Sequence, residues 1–146
     1  MKPSSELLSY FKDHEDQIQA FAQILTTRGI ERGLIGPKEG DRIWERHIAN
    51  SIPVTTLIPQ GVRVVDIGSG AGLPGIVIAL ARPDIKMTLV EPLQRRVDFL
   101  NEVVAELDLP IEVIRGRAEV VKKQFEVVTA RAVAPLEINP PLQGLN

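Results

Sequence analysis

Hydrophobic residues in the first third of the chain recur every three or four positions, which is the spacing of one helix face. The clearest set consists of Ile18, Phe21, Ala22 and Leu25. Gly29 is expected to end this helix, because glycine readily adopts the backbone conformation that follows a last helical turn. Residues 29–40 hold four glycines and one proline and are predicted to form a loop.

A second helix is predicted from Pro37 or Lys38 through residue 50, with its apolar side formed by Ile43, Trp44 and Ile48. Ser51 is predicted to cap a further short helix, since a serine oxygen can accept a free N–H group at a helix start. We therefore expect residues 1–61 to form an N-terminal helical cap that is part of the same compact unit as the rest of the chain.

From residue 62 the pattern changes to short apolar runs that alternate with amphipathic segments. The predicted strands are 62–67, 87–90, 111–114 and 125–130, and the predicted helices are 74–81, 93–107 and 118–124. Strands that alternate with helices form a parallel sheet with helical crossovers. The pattern predicts a partial, doubly wound α/β core over residues 62–137, followed by a divergent tail over 138–146.

The most specific pattern runs from Val64 to Gly75 and reads VVDIGSGAGLPG. A predicted strand leads into a glycine loop, and a helix follows. Glycines let a ligand approach the backbone closely, and free N–H groups at a helix start attract polar or anionic groups. Glu91 ends the next strand, so its carboxylate is expected at the same edge of the sheet, where it can accept hydrogen bonds from ribose hydroxyls.

Three interpretations fit this segment: a site for NAD, a site for S-adenosylmethionine, and a structural loop that binds no ligand. Gly70, Gly72 and Gly75 match the G-x-G-x-x-G pattern of dinucleotide sites, which favours NAD. The acid Asp66 before the loop and the extra glycine Gly68 favour S-adenosylmethionine instead. Asp66 is expected to organise the loop or to meet the ammonium group of the methionine, directly or through water. We prefer S-adenosylmethionine.

Composition narrows the function classes only modestly. The formal net charge is −2, so overall charge does not favour a nucleic-acid partner. The chain has no cysteine, and His14 and His47 have no metal-ligand spacing, so we expect no metal site. There is no apolar stretch of about 20 residues and no pattern of a signal peptide, so we expect a cytoplasmic protein without a membrane partner.

Four segments in order resemble the bacterial 16S ribosomal RNA guanine-N7 methyltransferases, also called the glucose-inhibited division protein B family. They read VVDIGSGAGLPGIVIALARPD, LVEPLQRRVDFL, VIRGRAEVV and VVTARAVAPL. An N-terminal segment, RGLIGPKEGDRIWERHIANS, resembles the actinobacterial branch. The resemblance extends from about residue 20 to Leu136.

The resemblance implies a Rossmann-like, S-adenosylmethionine-dependent methyltransferase sheet and N7-methylation of a guanine in 16S ribosomal RNA. The implied partner is that RNA or the small ribosomal subunit, and we expect a monomer. The alternatives are an NAD(P)-binding oxidoreductase and an inactive remnant of a methyltransferase.

The resemblance also assigns residues to the cofactor, beyond those that the glycine pattern indicates. These are Gly68, Leu73, Ala118, Glu119 and Arg131. Arg131 is the nearest candidate to the reaction centre, and no general acid or base is assigned. Arg46 and His47 match a segment near the RNA-facing cleft of the family, although a surface histidine on an amphipathic helix fits His47 equally well.

The residues after Glu137 do not resemble the family, so the sheet is expected to be incomplete at its C-terminal end. The fourth strand would then lie at an edge, with Phe125, Val127 and Val128 beside unpaired backbone groups. An exposed apolar edge strand promotes aggregation. We therefore expect the chain alone to be marginally stable or aggregated, with little methyl transfer.

Overall fold

The N-terminal region is helical, as predicted, but its helices are short and change type along the chain. A computed structural model describes residues 2–120, 125–130 and 137–138. The α-helices here are α1 (Ser5–Leu8), α2 (Glu15–Ile24) and α3 (Ile52–Thr55). Between them lie 3-10 segments at Ser9–His14, Pro37–Arg42 and Ala49–Ser51, and π-helical turns at Leu25–Gly29 and Ile43–Ile48.

The first long helix does not end at Gly29, so that prediction is wrong. Helical structure continues through residue 31, and the chain reverses at Gly33, which has a φ of 73°. The Gly33 N–H donates to the Ile30 carbonyl, and the Leu34 N–H donates to the Gly29 carbonyl at 2.8 Å. This pair of hydrogen bonds is the Schellman motif, which needs a residue in the left-handed conformation at the position of Gly33.

Ser51 also acts differently from the prediction. Helix α3 begins directly after it, but its hydroxyl does not cap that helix. The Ser51 Oγ instead donates to the His47 carbonyl at 3.0 Å, within the preceding turn. A hydroxyl four residues after a helical carbonyl often bonds backwards in this way.

The second half of the chain forms the predicted α/β sheet. Its strands are β1 (Arg63–Ile67), β2 (Lys86–Glu91), β3 (Glu112–Arg115), β4 (Val127–Ala130) and β5 (Glu137–Ile138). Helices α4 (Gly75–Ala81) and α5 (Gln94–Glu106) connect β1 to β2 and β2 to β3, and a 3-10 turn lies at Ala118–Val120. The strand order is β3-β2-β1-β4-β5, and the first four strands are parallel.

The fourth strand is not the bare edge that the sequence predicts. Val127 pairs with Ile138 and Val128 with Glu137, in antiparallel register. Phe125 and Val127 are buried. The short β5 therefore meets part of the hydrogen-bonding capacity of β4, which lowers the exposure of that edge.

One hydrophobic core joins the cap to one face of the sheet. Phe11, Phe21 and Ile48 from the cap belong to the same buried cluster as Ile76 of α4 and Phe99 of α5. Burial of each such side chain contributes about 1.5–3 kcal/mol. A smaller cluster of Val65, Val90 and Phe125 lies on the opposite face. The boundaries proposed at residues 61 and 137 stay predictions.

Arg82 fastens the end of the cap to the sheet. Its guanidinium donates to the carbonyls of Thr55 and Ile58 at 2.7 and 2.8 Å, and it forms a two-point ion pair with Asp84. The Asp84 carboxylate also accepts the Gly61 N–H at 2.9 Å. The hydrogen bond from Arg82 holds the pKa of Asp84 far below its ordinary value of 3.8.

We expect Asp84→Asn to lower the free energy of unfolding near neutral pH. A depressed carboxyl pKa stabilises the folded state above the ordinary pKa, and this contribution is lost as the pH falls below it. The difference between wild type and variant should thus be constant from about pH 7 to 5 and shrink below about pH 4. Denaturant unfolding at each pH measures it, with the exposed Asp41→Asn as the control. A difference that does not change with pH would contradict this role.

Candidate functional site

The glycine loop between β1 and α4 adopts a backbone that few other residues permit. Gly68, Gly70 and Gly72 have φ angles of 69°, 56° and 93°. These angles lie in the left-handed region, where a residue that carries a Cβ is less stable than glycine. The Gly68 and Ser69 N–H groups both donate to the Val90 carbonyl, so the loop is tied to the end of β2.

The glycines of the loop fall into two pairs with different surroundings. Within the part of the chain that the structure describes, no atom lies within 4 Å of where Gly68 would carry a Cβ, and the nearest atom at Gly70 is 3.8 Å away. A Cβ on Gly72 would lie 2.6 Å from Ile76 Cδ1, and one on Gly75 would lie 2.5 Å from Leu89 Cδ2. Gly68 and Gly70 thus have space beside them for a ligand, whereas Gly72 and Gly75 permit tight internal packing.

Leu73 is on the packed side of the loop as well. Its side chain is buried in the main hydrophobic cluster, in company with Ala71. The structure therefore places Gly72 and Leu73 where they shape the loop. Their contact with a cofactor stays a prediction.

Glu91 lies at the end of β2, at the edge of the sheet where the ligand crevice is predicted. Its side chain is only 1% exposed. Oε1 accepts the Gly70 N–H at 2.8 Å, and Oε2 accepts the Leu93 N–H at 3.0 Å. The carboxylate thus lies at the predicted edge of the sheet and contacts the glycine loop directly.

Asp66 is fully buried below the start of α4. The Thr129 Oγ1 donates to Asp66 Oδ1 at 2.7 Å, which links β1 to β4. Asp66 Oδ2 lies 2.6 Å from where a Cβ on Gly75 would stand. This placement fits the expectation that Asp66 organises the loop, and contact with an ammonium group stays a prediction.

The parallel register brings the end of β3 beside Glu91. Glu91 is paired with Arg115 at the ends of β2 and β3. Ala118 and Glu119 follow in an exposed 3-10 turn. Arg131 comes directly after β4 and lies outside the described residues, so its role stays a prediction.

The structure shows two further features of the same edge. Arg115 donates from Nε to the Pro92 carbonyl at 3.2 Å and from Nη1 to Gln94 Oε1 at 3.0 Å, so it holds the turn between β2 and α5. Leu93, in that turn, is 46% exposed and offers an apolar surface beside Glu91. Neither feature has a local sequence signal, because both depend on how the turn folds back over β3.

The two candidate RNA contacts lie in the cap, on the π-helical turn Ile43–Ile48. Arg46 is exposed, and the half-buried His47 donates from Nε2 to Glu39 Oε1 at 2.7 Å. This hydrogen bond lowers the pKa of Glu39. His47 therefore has a hydrogen-bond partner in the cap, which fits the structural alternative, and its contact with RNA stays a prediction.

The donor set at the sheet edge fits a nucleoside that carries an amino acid. The glycine loop borders the site, Glu91 supplies a carboxylate, and Leu93 supplies apolar surface. Gly68 leaves the space that a ligand backbone would need. Among residues 2–120, 125–130 and 137–138, three or more potential metal ligands do not cluster anywhere. The same ranges contain no helix long and apolar enough to cross a membrane.

Comparison with known proteins identifies the family. Residues 14–139 match the family model described as rRNA small subunit methyltransferase G. The chain belongs to this family. A ribosomal RNA small subunit methyltransferase G from Mycobacterium sp. (strain JLS) is 52% identical over 140 residues, which cover 92% of this chain and 61% of that protein. One from Mycobacterium avium (strain 104) is 56% identical over 124 residues, covering 82% and 51%.

The methyltransferase G relatives are longer than this chain, which spans 51–61% of their length. Solved structures with more distant sequences share its fold. A crystal structure of an MtNAS mutant aligns over 90% of the chain and 53% of its own, with a TM-score of 0.59 and 21% identity. A precorrin-6y methyltransferase from Geobacter metallireducens aligns over 66% and 50%, with a TM-score of 0.50 and 13% identity. At these identities the likeness concerns the fold alone.

Proposed function

We propose that this chain binds S-adenosylmethionine and serves the N7-methylation of a guanine in 16S ribosomal RNA. Membership of the rRNA small subunit methyltransferase G family is the observation that carries the proposal. The glycine loop supports it, because space beside Gly68 and Gly70 adjoins the carboxylate of Glu91. We place the protein in the cytoplasm, as a monomer that acts on the small subunit or its RNA.

The chemistry of this reaction fits the residues at the site. S-adenosylmethionine, when bound, supplies a methyl group attached to a cationic sulfur. The sulfur is the leaving group, and it needs no protonation. Guanine N7 carries an in-plane lone pair and no hydrogen, so the chain needs no general base. What the chain contributes is position, since holding reactants in near-attack geometry is worth about 7–11 kcal/mol.

We assign roles to individual residues within this proposal. The methionine end would lie in the open space beside Gly68 and Gly70, and Glu91 would orient the ribose. Leu93, Ala118 and Glu119 would border the adenine. Arg131 would face the reaction centre. Arg46 and His47 would contact RNA, whose N7 atoms are accessible when a base is splayed from a structured loop.

The first test is the choice of cofactor. Calorimetric titration of the 146-residue chain with S-adenosylmethionine and with NAD should give binding for the former only. The matched dinucleotide pattern at Gly70, Gly72 and Gly75 makes NAD the relevant competitor. Equal affinity for both ligands, or preference for NAD, would favour the oxidoreductase alternative.

The second test is the site of methylation. Labelled S-adenosylmethionine should transfer its methyl group to small-subunit RNA, at the low level expected of this chain alone. Transfer should vanish when the RNA contains 7-deazaguanine, which lacks the accepting atom. Transfer that persists on 7-deazaguanine RNA would show another acceptor. Cofactor binding without any transfer to unmodified RNA would favour the inactive alternative.

A further inference from the structure

We propose that Glu91 is a positioning residue that sets the shape of the ligand crevice by holding two loops together. The inference deepens the proposed function, since a ribose contact alone would not require this arrangement. Glu91 would thus act on the ligand through the backbone of the glycine loop as well as through any direct contact.

The Glu91 side chain joins two loops at the carboxyl end of the sheet, and its backbone contacts a third. Its side chain accepts the Gly70 N–H of the glycine loop and the Leu93 N–H of the turn before α5. Its backbone carbonyl accepts the Gly116 N–H at 3.0 Å, after β3. One residue therefore connects the segments that form both sides of the crevice.

Burial makes these bonds consequential. Glu91 is 1% exposed, and a buried carboxylate needs strong hydrogen bonds to remain in place. Gly70 has a φ of 56°, in a region that glycine visits but does not strongly prefer over others. The bond from its N–H to Oε1 selects that conformation at the point where the loop has space beside it.

The carboxylate keeps capacity for a ligand while it holds the loops. Each carboxylate oxygen has about two acceptor positions. Each hydrogen bond to a loop amide uses one of them. A ribose hydroxyl would then add to a carboxylate whose orientation is already fixed by the protein.

Glu91→Gln separates the loss of the two hydrogen bonds from a change in side-chain size. Glutamine has nearly the same size, but only one of its two terminal atoms accepts hydrogen bonds. It can receive either the Gly70 N–H or the Leu93 N–H, and its amide group opposes the other donor. The exposed Glu45→Gln in the cap is the matched control.

Hydrogen exchange on the protein without added ligand gives the first readout. We expect the Gly70 and Leu93 amides to be protected in the wild type and in Glu45→Gln. In Glu91→Gln, at least one of them should exchange about tenfold faster or more, since bonds to a charged acceptor are the stronger ones. Exchange of both amides in the wild type at the rate of exposed loop amides would overturn the proposal.

Ligand binding gives the second readout. S-adenosylhomocysteine and its 2′,3′-dideoxy analogue differ only in the ribose hydroxyls. If Glu91 positions the loop, Glu91→Gln should weaken both ligands by about tenfold or more. A loss confined to the ligand with hydroxyls would overturn the proposal and leave Glu91 a ribose contact only.

Two further outcomes remain decisive. If Glu91→Gln does not fold, Glu91→Asp takes its place, because aspartate keeps the charge but shortens the side chain by one methylene. Glu91→Asp should again weaken the binding of both ligands. A loss of binding with one ligand only would overturn the proposal. If the wild type binds neither S-adenosylmethionine nor S-adenosylhomocysteine, the proposed function fails, and the exchange of the Gly70 and Leu93 amides still decides the positioning role.

Discussion

Replacing Gly70 with valine is expected to abolish binding of S-adenosylmethionine. The φ of 56° at this position is a strained conformation for a β-branched residue, which costs about 1–3 kcal/mol. The protein itself leaves room for a Cβ there, with its nearest contact at 3.8 Å. The added side chain would therefore fill ligand space, and a loop that relaxed to relieve the strain would lose the bond to Glu91. Calorimetric titration measures the loss.

Gly61→Val is the matched control for Gly70→Val. Gly61 also has a positive φ, 72°, and no described atom lies within 4 Å of the added Cβ. It precedes β1, away from the carboxyl edge of the sheet. Gly61→Val should thus lower stability by a similar amount and leave ligand affinity unchanged. Wild-type affinity in Gly70→Val, or an equal loss of affinity in Gly61→Val, would contradict the assignment of the site.

Gly75→Ala is expected to lower the free energy of unfolding by about 1–3 kcal/mol, the usual cost of an overpacked core. The new methyl group would stand 2.5 Å from Leu89 Cδ2 and 2.6 Å from Asp66 Oδ2. Both neighbours are fully buried, so neither can move into solvent. The start of α4 must then shift away from β1. Denaturant unfolding measures the change.

Gly36→Ala tests whether the effect at Gly75 depends on crowding. Gly36 has a φ of −73°, and a Cβ there meets its nearest atom at an ordinary 3.7 Å. Alanine should be neutral or stabilise the protein by about 0.4–1 kcal/mol, because it restricts the unfolded chain. Equal destabilisation by the two substitutions would contradict the close approach of α4 to the sheet.

Much of the fold follows from local sequence patterns. The order of strands and helices from residue 62 was predictable because each element carries its own periodicity, and β1, β2 and β3 differ from the predicted bounds by only one or two residues. The glycine loop and the acid at the end of the next strand were predictable for a related reason. Parallel strands bring their carboxyl ends to one edge, so Asp66, Gly68 and Glu91 had to lie near one another.

Where two local signals competed, the sequence prediction chose the wrong one. Gly29 and Gly33 are both plausible helix ends, and the chain turns at Gly33. Gly29 instead lies buried near Leu25 and Ile35, where packing favours a continued helix. Arg95 shows the same limit for charges. No residue near it in sequence indicates its partner, yet Nη1 donates to the Arg32 carbonyl at 2.7 Å, across the junction with the cap.

The sequence by itself determined the alternation of strands and helices, the glycine loop and the family of this chain, because these depend on residues close together along it. The tertiary structure decided what each loop residue does. Gly70 and Gly75 belong to one motif, yet Gly70 lies beside open space and Gly75, at the start of α4, lies against the sheet, because only Gly75 faces Leu89 and Asp66. The partners of Glu91 and the pairing of β4 with β5 likewise join residues that are distant or weakly patterned in sequence, so only the packed chain brings them together.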